Sequence, residues 1–136
     1  NAYSDWTDEE RSEFLSSGLV GQLKDHHHMR HHFARLNTEY IPDYVNWLEH
    51  GAVTNVTHDF SSCSSSWAHA AVDAIAGDVY LKTGKMEPLS TQQILDCDHS
   101  SWGCHGGLYT NAFEYAINNK MMTDKDYPYV GKPQSC

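Results

Sequence analysis

Apolar residues recur at helical spacing in the longest patterned stretch of the chain, residues 66–82. Spacings of three and four place them on one face of a helix. Ser65 or Ser66 can cap its start, Lys82 suits the negative C-terminal end of the helix dipole, and Gly84 lies just past that end. The residues of the apolar face are Ala68, Ala71, Val72, Ile75 and Val79.

Three further helices are predicted, two of them from capping boxes. Thr7-Asp8-Glu9-Glu10 opens a short helix that ends near Gly18, and Ser90-Thr91-Gln92-Gln93 opens a helix that continues through Cys97. Residues 110–119 form the third helix. Its predicted inward face consists of Ala112, Phe113, Ala116 and Ile117.

The remaining segments carry turn or extended signals. Residues 41–47 are predicted to be extended, because a proline pushes the preceding residue out of the helical region. A turn-rich run follows to residue 65, and residues 99–107 form a glycine-rich loop. Residues 19–38 and 126–136 show no periodicity. The pattern therefore predicts a mostly helical, loop-rich domain.

Length and charge narrow the possible functions. The chain has 136 residues, about the size of one domain. It carries a net charge of −9, which argues against a nucleic-acid partner. No stretch approaches the roughly 18 uninterrupted apolar residues of a spanning helix, so no membrane span is expected. The sequence shows no cofactor motif, and we expect no cofactor. Because the chain begins with Asn1, we expect a removed leader or a processed fragment.

The cysteine count favours disulfides over a metal site. Four cysteines are consistent with two disulfides and an oxidising compartment, whereas none of them has the C-x-x-C spacing of zinc ribbons. Asn55 opens an N-glycosylation sequon, which fits a secreted glycoprotein or one in the lumen of the secretory or endolysosomal pathway. The cysteines are Cys63, Cys97, Cys104 and Cys136.

A histidine-rich stretch is a second candidate for metal chemistry. If it is helical, His27 and His31 share a face at i, i+4 spacing, and so do His28 and His32. Asp25 offers an oxygen ligand, but no clear third ligand accompanies either pair, so no metal is assigned. The alternatives are a solvated arm, or an arm that protonates near pH 6 and loosens from an acidic lobe.

Five ordered blocks of the sequence resemble the papain-like cysteine proteases, nearest to the cathepsin L type. The blocks are "IPDYVNWLEHGAVTNV", "CSSSWAHAAV", "LSTQQILDCD", "GCHGGLYTNAFEYAINN" and "YPYVGKPQSC". "NAYSDWTDEE" also resembles the end of the family's propeptide. The resemblance implies a propeptide remnant over residues 1–38 and, over residues 39–136, the disulfide-bonded helical left lobe of the papain-like α+β fold. The right-lobe barrel, with the catalytic His and its orienting Asn, is expected to be absent from this chain.

The family pattern pairs Cys63 with Cys104 and Cys97 with Cys136. Each bridge would close a loop of about 40 residues and stabilise the fold by roughly 4 kcal/mol through chain entropy. A lobe separated from its partner would depend on that stabilisation.

The resemblance places Ser66 at the position of the nucleophilic cysteine. A hydroxyl is not ionised by a helix N-terminus as a thiol is, and it needs a general base within reach. Phe60 stands at the position of the oxyanion glutamine, and Ser64 and His69 also depart from the family. These changes argue against an engineered Cys→Ser replacement, which would leave its neighbours alone. We interpret Ser66 as a helix cap left by lost catalysis, and we expect no catalytic residue.

A substrate groove is the second feature that the resemblance implies. Gly106 and Gly107 match the loop that pairs with an extended peptide, and Leu108 and Tyr109 match part of a specificity pocket. The alternative is a tight loop beside a disulfide. We also expect residues 8–38 to lie across this groove, as the propeptide does in the family's zymogens.

Three functions follow as hypotheses. The leading one is an inactive pseudoprotease with a structural, storage or binding role in an assembly. The second is a serine hydrolase, or a condensing enzyme like the silica-forming silicateins, completed by a second chain. The third is a propeptide-type inhibitor of cysteine proteases. The expected partner is a complementary C-terminal right-lobe fragment, or another subunit. Without it, apolar residues are predicted to face water: Ile41, Tyr44, Val45, Trp47 and Trp67.

Overall fold

The structure is a computed structural model that describes residues 4–15, 41–54 and 63–136. Four α-helices lie within these ranges: α1 (Asp8–Leu15), α2 (Ser66–Thr83), α3 (Thr91–Cys97) and α4 (Tyr109–Asn118). A short 3₁₀ helix, Gly103–His105, precedes α4. Within the described ranges, β-pairing is limited to an isolated bridge between Leu89 and Thr123. The predicted helical, disulfide-bonded class is confirmed.

The capping box that opens α1 is confirmed in both directions. The Thr7 backbone N–H donates to Glu10 Oε2 at 2.7 Å, and the Glu10 N–H donates to Thr7 Oγ1 at 3.2 Å. The helix is described as far as Leu15, so its predicted end near Gly18 lies outside the described residues.

The bounds of α2 agree with the sequence pattern at both ends. Gly84 adopts the left-handed conformation, with φ +70°, and its N–H donates to the Tyr80 carbonyl at 2.7 Å. Lys82 lies in the last turn and pairs with Asp78 at 2.5 Å. The N-cap position belongs to Ser65, whose side chain makes no capping hydrogen bond.

The buried face of α2 is shifted from the predicted one. Ala68, Ala71 and Val72 are buried as predicted, and Ala76 joins them at 1% exposure. Val79 is 37% exposed, so its predicted inward position is wrong. The core cluster meets α2 in its first half, where α3 and α4 pack, and Val79 lies beyond that contact.

The N-cap of α3 is confirmed, although its capping box is only half closed. Ser90 Oγ accepts from the Gln93 N–H at 2.9 Å. The Gln93 side chain turns instead to a later segment, where Oε1 accepts from the Met122 N–H at 2.7 Å and Nε2 donates to the Lys120 carbonyl at 2.9 Å. Gln93 therefore connects α3 to the segment after α4.

A polar network orders the C-terminal tail, residues 126–136, for which the sequence pattern predicts no regular structure. Gln92 Nε2 donates to Asp96 Oδ1 at 3.0 Å and to the Lys132 carbonyl at 2.9 Å. The Gln134 N–H donates to Asp96 Oδ1 at 2.7 Å, and the Tyr127 hydroxyl donates to Asp96 Oδ2 at 2.9 Å. Burial, and then this hydrogen bond to the Asp96 carboxylate, raise the pKa of Tyr127 above 10.0.

Helix α4 contributes less to the core than predicted. Ala112 is fully buried and Phe113 packs against the core cluster. Ile117, predicted to face inward, is 82% exposed. It follows Ala112 by five residues, which at 3.6 residues per turn rotates it about 140° away from the buried side.

Both disulfides form as the family pattern implies. Cys63 pairs with Cys104, with their Cα atoms 4.5 Å apart, and Cys97 pairs with Cys136, with Cα atoms 5.0 Å apart. Cys63 belongs to the core cluster, so the first bridge joins the start of α2 to the loop before α4. No described helix is both long and apolar enough to cross a bilayer.

The segment before α2 is non-helical and exposes apolar side chains. Residues 41–46 contain no helix, and a turn covers residues 47–51. Exposure is confirmed for four of the five residues predicted to face water: Ile41, Tyr44, Val45 and Trp47. It is wrong for Trp67, which is 7% exposed because a loop packs over its indole ring.

Candidate functional site

The start of α2 places Ser66 on the surface. Ser66 is the first helical residue and its side chain is exposed. The Ser65 carbonyl accepts from the N–H groups of Ala68 and His69, at 3.0 and 3.1 Å. Ser65 therefore occupies the cap position, and the interpretation of Ser66 as a helix cap is wrong. Within the described residues, the Ser66 hydroxyl makes no hydrogen bond.

Ser65 is held by the tail instead of by the helix. It is fully buried, and its Oγ lies 2.7 Å from the Tyr129 hydroxyl. The same Oγ donates to the Cys63 carbonyl at 3.4 Å. The Ser65 hydroxyl is thus engaged by Tyr129 and Cys63, and α2 begins without a side-chain cap.

The imidazole nearest to Ser66 in sequence is engaged elsewhere. His69 is 9% exposed, and its Nδ1 lies 3.2 Å from Thr91 Oγ1. Its ring meets Tyr129 edge to face, with centroids 4.9 Å apart. Within the described part of the chain, no imidazole hydrogen-bonds to Ser66.

Trp67 joins the start of α2 to the glycine-rich loop. Its Nε1 donates to the Gly103 carbonyl at 3.1 Å. A Cβ on Gly107 would lie 2.5 Å from Cδ2 and Cε2 of Trp67 and 2.8 Å from Ser101 Cβ, so the backbone approaches the indole too closely for a side chain. This contact places Gly107 beside the residue that follows Ser66.

The disulfide and a backbone hydrogen bond hold the same loop from the other side. The Ser64 N–H donates to the Cys104 carbonyl at 2.9 Å, next to the Cys63–Cys104 bridge. Gly106, with φ +112°, accepts from the Trp102 N–H at 3.0 Å. The loop is thus tight and is held by a disulfide.

Gly106 and Gly107, the two glycines of the predicted groove, are both buried. The N–H and carbonyl of Gly107 make no hydrogen bond within the described residues. Leu108 is half-buried beside them, and Tyr109, 46% exposed, packs its ring edge to face on Phe113 at 6.1 Å. The structure brings Ser66 and residues 106–109 to one region, through Trp67.

Several predicted site residues lie outside the described part of the chain. They are Phe60 at the oxyanion position, Asn55 of the sequon, and the histidines His27, His28, His31 and His32. The predicted path of residues 8–38 across the groove also lies there, apart from α1. Among the described residues, no group of three or more His, Cys, Asp or Glu side chains is placed to hold a metal ion.

Sequence reasoning missed the polar residues that support this site. Ser65, Tyr129, His69 and Thr91 form one connected group, yet they come from three segments far apart in the chain. The sequence signal was limited to the unusual histidine at position 69. Its partner Thr91 is the first residue of α3, directly after the Ser90 cap, and it is buried.

Comparison with known proteins gives the same family over most of the chain. The family model described as "Papain family cysteine protease" matches residues 41–136. Cysteine proteinase 15A of Pisum sativum is 43% identical over 111 residues, which cover 74% of this chain and 30% of that protein. Cathepsin J of Mus musculus is 38% identical over 140 residues, covering 100% of this chain and 40% of that protein.

A solved structure shows the same architecture. It is the 2.05 Å crystal structure of the proform of the Amb a 11 cysteine protease, a ragweed pollen allergen, and it superposes with a TM-score of 0.68 at 44% sequence identity. The match covers 74% of this chain and 31% of that structure. The chain therefore spans less than half the length of these relatives.

Proposed function

Because the chain belongs to the papain family of cysteine proteases, we propose that it is a non-catalytic member, which supplies a helical lobe and a peptide groove to an assembly. The helical fold of the described residues, and a match to 31% of a solved relative, agree with the left lobe of that architecture. The observation that carries the proposal is the setting of Ser66: an exposed hydroxyl at the start of α2, with no imidazole bonded to it among the described residues.

The chemistry of a hydroxyl supports inactivity. A helix N-terminus and a nearby imidazolium lower a thiol's pKa enough to populate the thiolate near neutral pH. A serine hydroxyl titrates too high for that arrangement and needs a base that removes its proton during attack. His69, the nearest imidazole in sequence, is buried against Thr91 and Tyr129.

Loss of the oxyanion donor is a second, independent argument. Counting back from Cys63, the family's oxyanion glutamine falls at Phe60, whose ring offers no hydrogen-bond donor. Removing one such donor costs roughly 3–4 kcal/mol of transition-state stabilisation. A Ser66 nucleophile would therefore lack both a base and part of its oxyanion hole.

Two adjoining apolar clefts support an assembly role. One, of about 320 Å³, is lined by Trp47, Val53, Leu81 and neighbouring residues, and another, of about 410 Å³, includes Phe113 and Ile117. Ala74 and Asp78 line both clefts, which therefore lie side by side along α2. Large apolar side chains are exposed along these clefts, namely Trp47, Leu81 and Ile117, and a partner would cover them. The proposed occupant is a complementary C-terminal right-lobe fragment, or another subunit of the assembly.

The two disulfides support a compartment outside the reducing cytosol. Structural disulfides persist in secreted proteins and in the lumen of the secretory and endolysosomal pathway. We place the protein there, and a glycan on Asn55 would agree with that placement.

A peptidase assay tests the inactivity directly. We expect no turnover of a fluorogenic Phe-Arg peptide, under mildly reducing conditions between about pH 5 and 6, where an intact family site would hold its ion pair. Ser66→Ala is the matched control, because it removes only an exposed hydroxyl. Turnover that is lost in Ser66→Ala would overturn the proposal. It would favour the serine hydrolase or silicatein-like condensing enzyme completed by a second chain.

A further inference from the structure

His69 is a buried titratable side chain that the proposed function does not use. It lies in the first half of α2 and is 9% exposed. Its ring packs edge to face on Tyr129, with centroids 4.9 Å apart, and its Nδ1 lies 3.2 Å from Thr91 Oγ1. Helix α2, the start of α3 and the C-terminal tail therefore meet at one imidazole. Because an unperturbed imidazole changes its charge between about pH 5 and 8, this contact can respond to a mild change in pH.

Tyr129 connects His69 to the start of α2. The Tyr129 hydroxyl lies 2.7 Å from Ser65 Oγ, and Ser65 is fully buried. Ser65 directly precedes Ser66, the first residue of the helix. The tail residue that packs on His69 is thus the same one that engages the Ser65 hydroxyl. Movement of Tyr129 away from α2 would free that hydroxyl from the tail.

The surroundings of His69 favour its neutral form. A small cleft beside the ring, of about 20 Å³, has room for about one water molecule. Val72, Pro88 and Leu89 supply the apolar part of its lining. Burial in such a place removes the hydration that a charged ring needs, so it penalises the imidazolium. The neutral ring can share a hydrogen bond with Thr91 in either tautomer, since a hydroxyl both donates and accepts.

Two carboxylates oppose this penalty, and solvent screens both of them. Asp73, one turn further along α2, and Asp124, after α4, line the same cleft, and neither lysine nor arginine is among the described residues that line it. Asp73 is exposed, and its Oδ1 accepts from Thr54 Oγ1 at 3.2 Å, whereas Asp124 is half-buried. Tyr129 faces the ring with an uncharged phenol. The carboxylates therefore favour a charged ring on the solvent side of the cleft over one in the buried place.

We infer that His69 is a pH-sensitive switch for the C-terminal tail. While the ring is neutral, it packs on Tyr129 and holds the tail against the start of α2. When the ring gains a proton, the charged imidazole leaves its buried place for the solvent side of the cleft, and the contact of Tyr129 with Ser65 is lost. The Cys97–Cys136 bridge keeps the end of the tail attached, so the opening is local.

Native-state hydrogen exchange of the disulfide-bonded protein as isolated, with any copurifying chain, tests the switch. The Val130 N–H follows Tyr129 and donates to Gln92 Oε1 at 3.0 Å, so it reports on the tail beside His69. We expect its protection factor to fall about tenfold or more between about pH 7.5 and pH 5, the effect of displacing a protonation equilibrium by about one pH unit. The Gln134 N–H, which donates to Asp96 Oδ1 at 2.7 Å, lies further along the tail and should keep its protection.

Two variants assign the response to one imidazole. His69→Phe keeps an aromatic ring there but cannot gain a proton, so the Val130 N–H should be equally protected at both pH values. His105→Gln is the matched control, because it removes an exposed imidazole outside the cleft and should leave the response as in the parent. If His69→Phe does not fold, exchange in the unmodified protein still decides. Protection of Val130 that is unchanged or higher at about pH 5, that falls equally at Gln134, or that still falls in His69→Phe would each overturn the inference.

Discussion

At Gly107, the missing side chain determines how closely the glycine-rich loop approaches α2. A Cβ there would lie 2.5 Å from the indole of Trp67, a ring that is itself fixed by its hydrogen bond to the Gly103 carbonyl. The sequence could place Ser66 and Gly107 in one region only through a family resemblance, because it is the packing of Gly107 on Trp67 that brings them there. The two neighbouring serines differ in their surroundings: the Ser65 hydroxyl is buried against Tyr129, and the Ser66 side chain is exposed.

Gly107→Ala is expected to destabilise the protein by about 1–3 kcal/mol, because the added methyl group overpacks a rigid ring and the backbone must shift. The measurement is the free energy of unfolding from denaturant titration. Gly77→Ala is the matched control. Its Cβ would be 3.7 Å from the nearest atom, and alanine is favoured in a helix, so that variant should be as stable as the parent or more stable. Equal losses in the two variants would contradict the account.

The raised pKa of Tyr127 should make the folded protein less stable at high pH. Burial first, and then its hydrogen bond to Asp96, raise its pKa in the folded state above the unfolded value of 10.0. The stabilising contribution is therefore complete below pH 10.0 and is lost as the pH rises through the folded pKa. Denaturant titrations on both sides of that pH should show the loss, and Tyr127→Phe should reduce it. A stability that is independent of pH across this range would refute the prediction.

Local signals fixed most helix boundaries, while long-range contacts decided which faces are buried. Ser90 and Gly84 define helix ends by interactions within a few residues, and such interactions are visible in a sequence. Val79 was placed inward wrongly because it lies beyond the half of α2 that the core cluster contacts, and Ile117 because it is rotated away from Ala112 around α4. The Asp96 network was not predictable, since its Gln134 partner lies 38 residues away.

The two serines at helix starts should differ in their contribution to stability. Ser90→Ala removes the cap on Gln93 and the hydrogen bond from Ser90 Oγ to the Tyr127 carbonyl, so we expect a loss of about 1–2 kcal/mol. Ser66→Ala should stay within about 0.5 kcal/mol of the parent, because Ser66 lies inside the helix and is exposed. Thermal or denaturant unfolding measures both. A large loss of stability in Ser66→Ala would contradict this and would indicate that Ser66 caps the helix.

At the scale of the whole molecule, the described residues form one helical lobe with an uncovered apolar side. Both disulfides followed from the resemblance, because the family pattern specifies partners that spacing alone left open. Exposure of Trp47 was also predictable, since the segment before α2 has little within this lobe to cover it. Burial of Trp67 was not, because its cover comes from the tight approach of Gly107.

The central claim is that this lobe is completed by a partner, and native mass spectrometry of the purified protein tests it most directly. The account predicts a complex heavier than the 15.4 kDa chain, in which a second chain shields Trp47 from a fluorescence quencher. Trp47→Phe identifies the signal of that residue among the other tryptophans. A stable, soluble 15.4 kDa monomer in which Trp47 is freely quenched would contradict the claim.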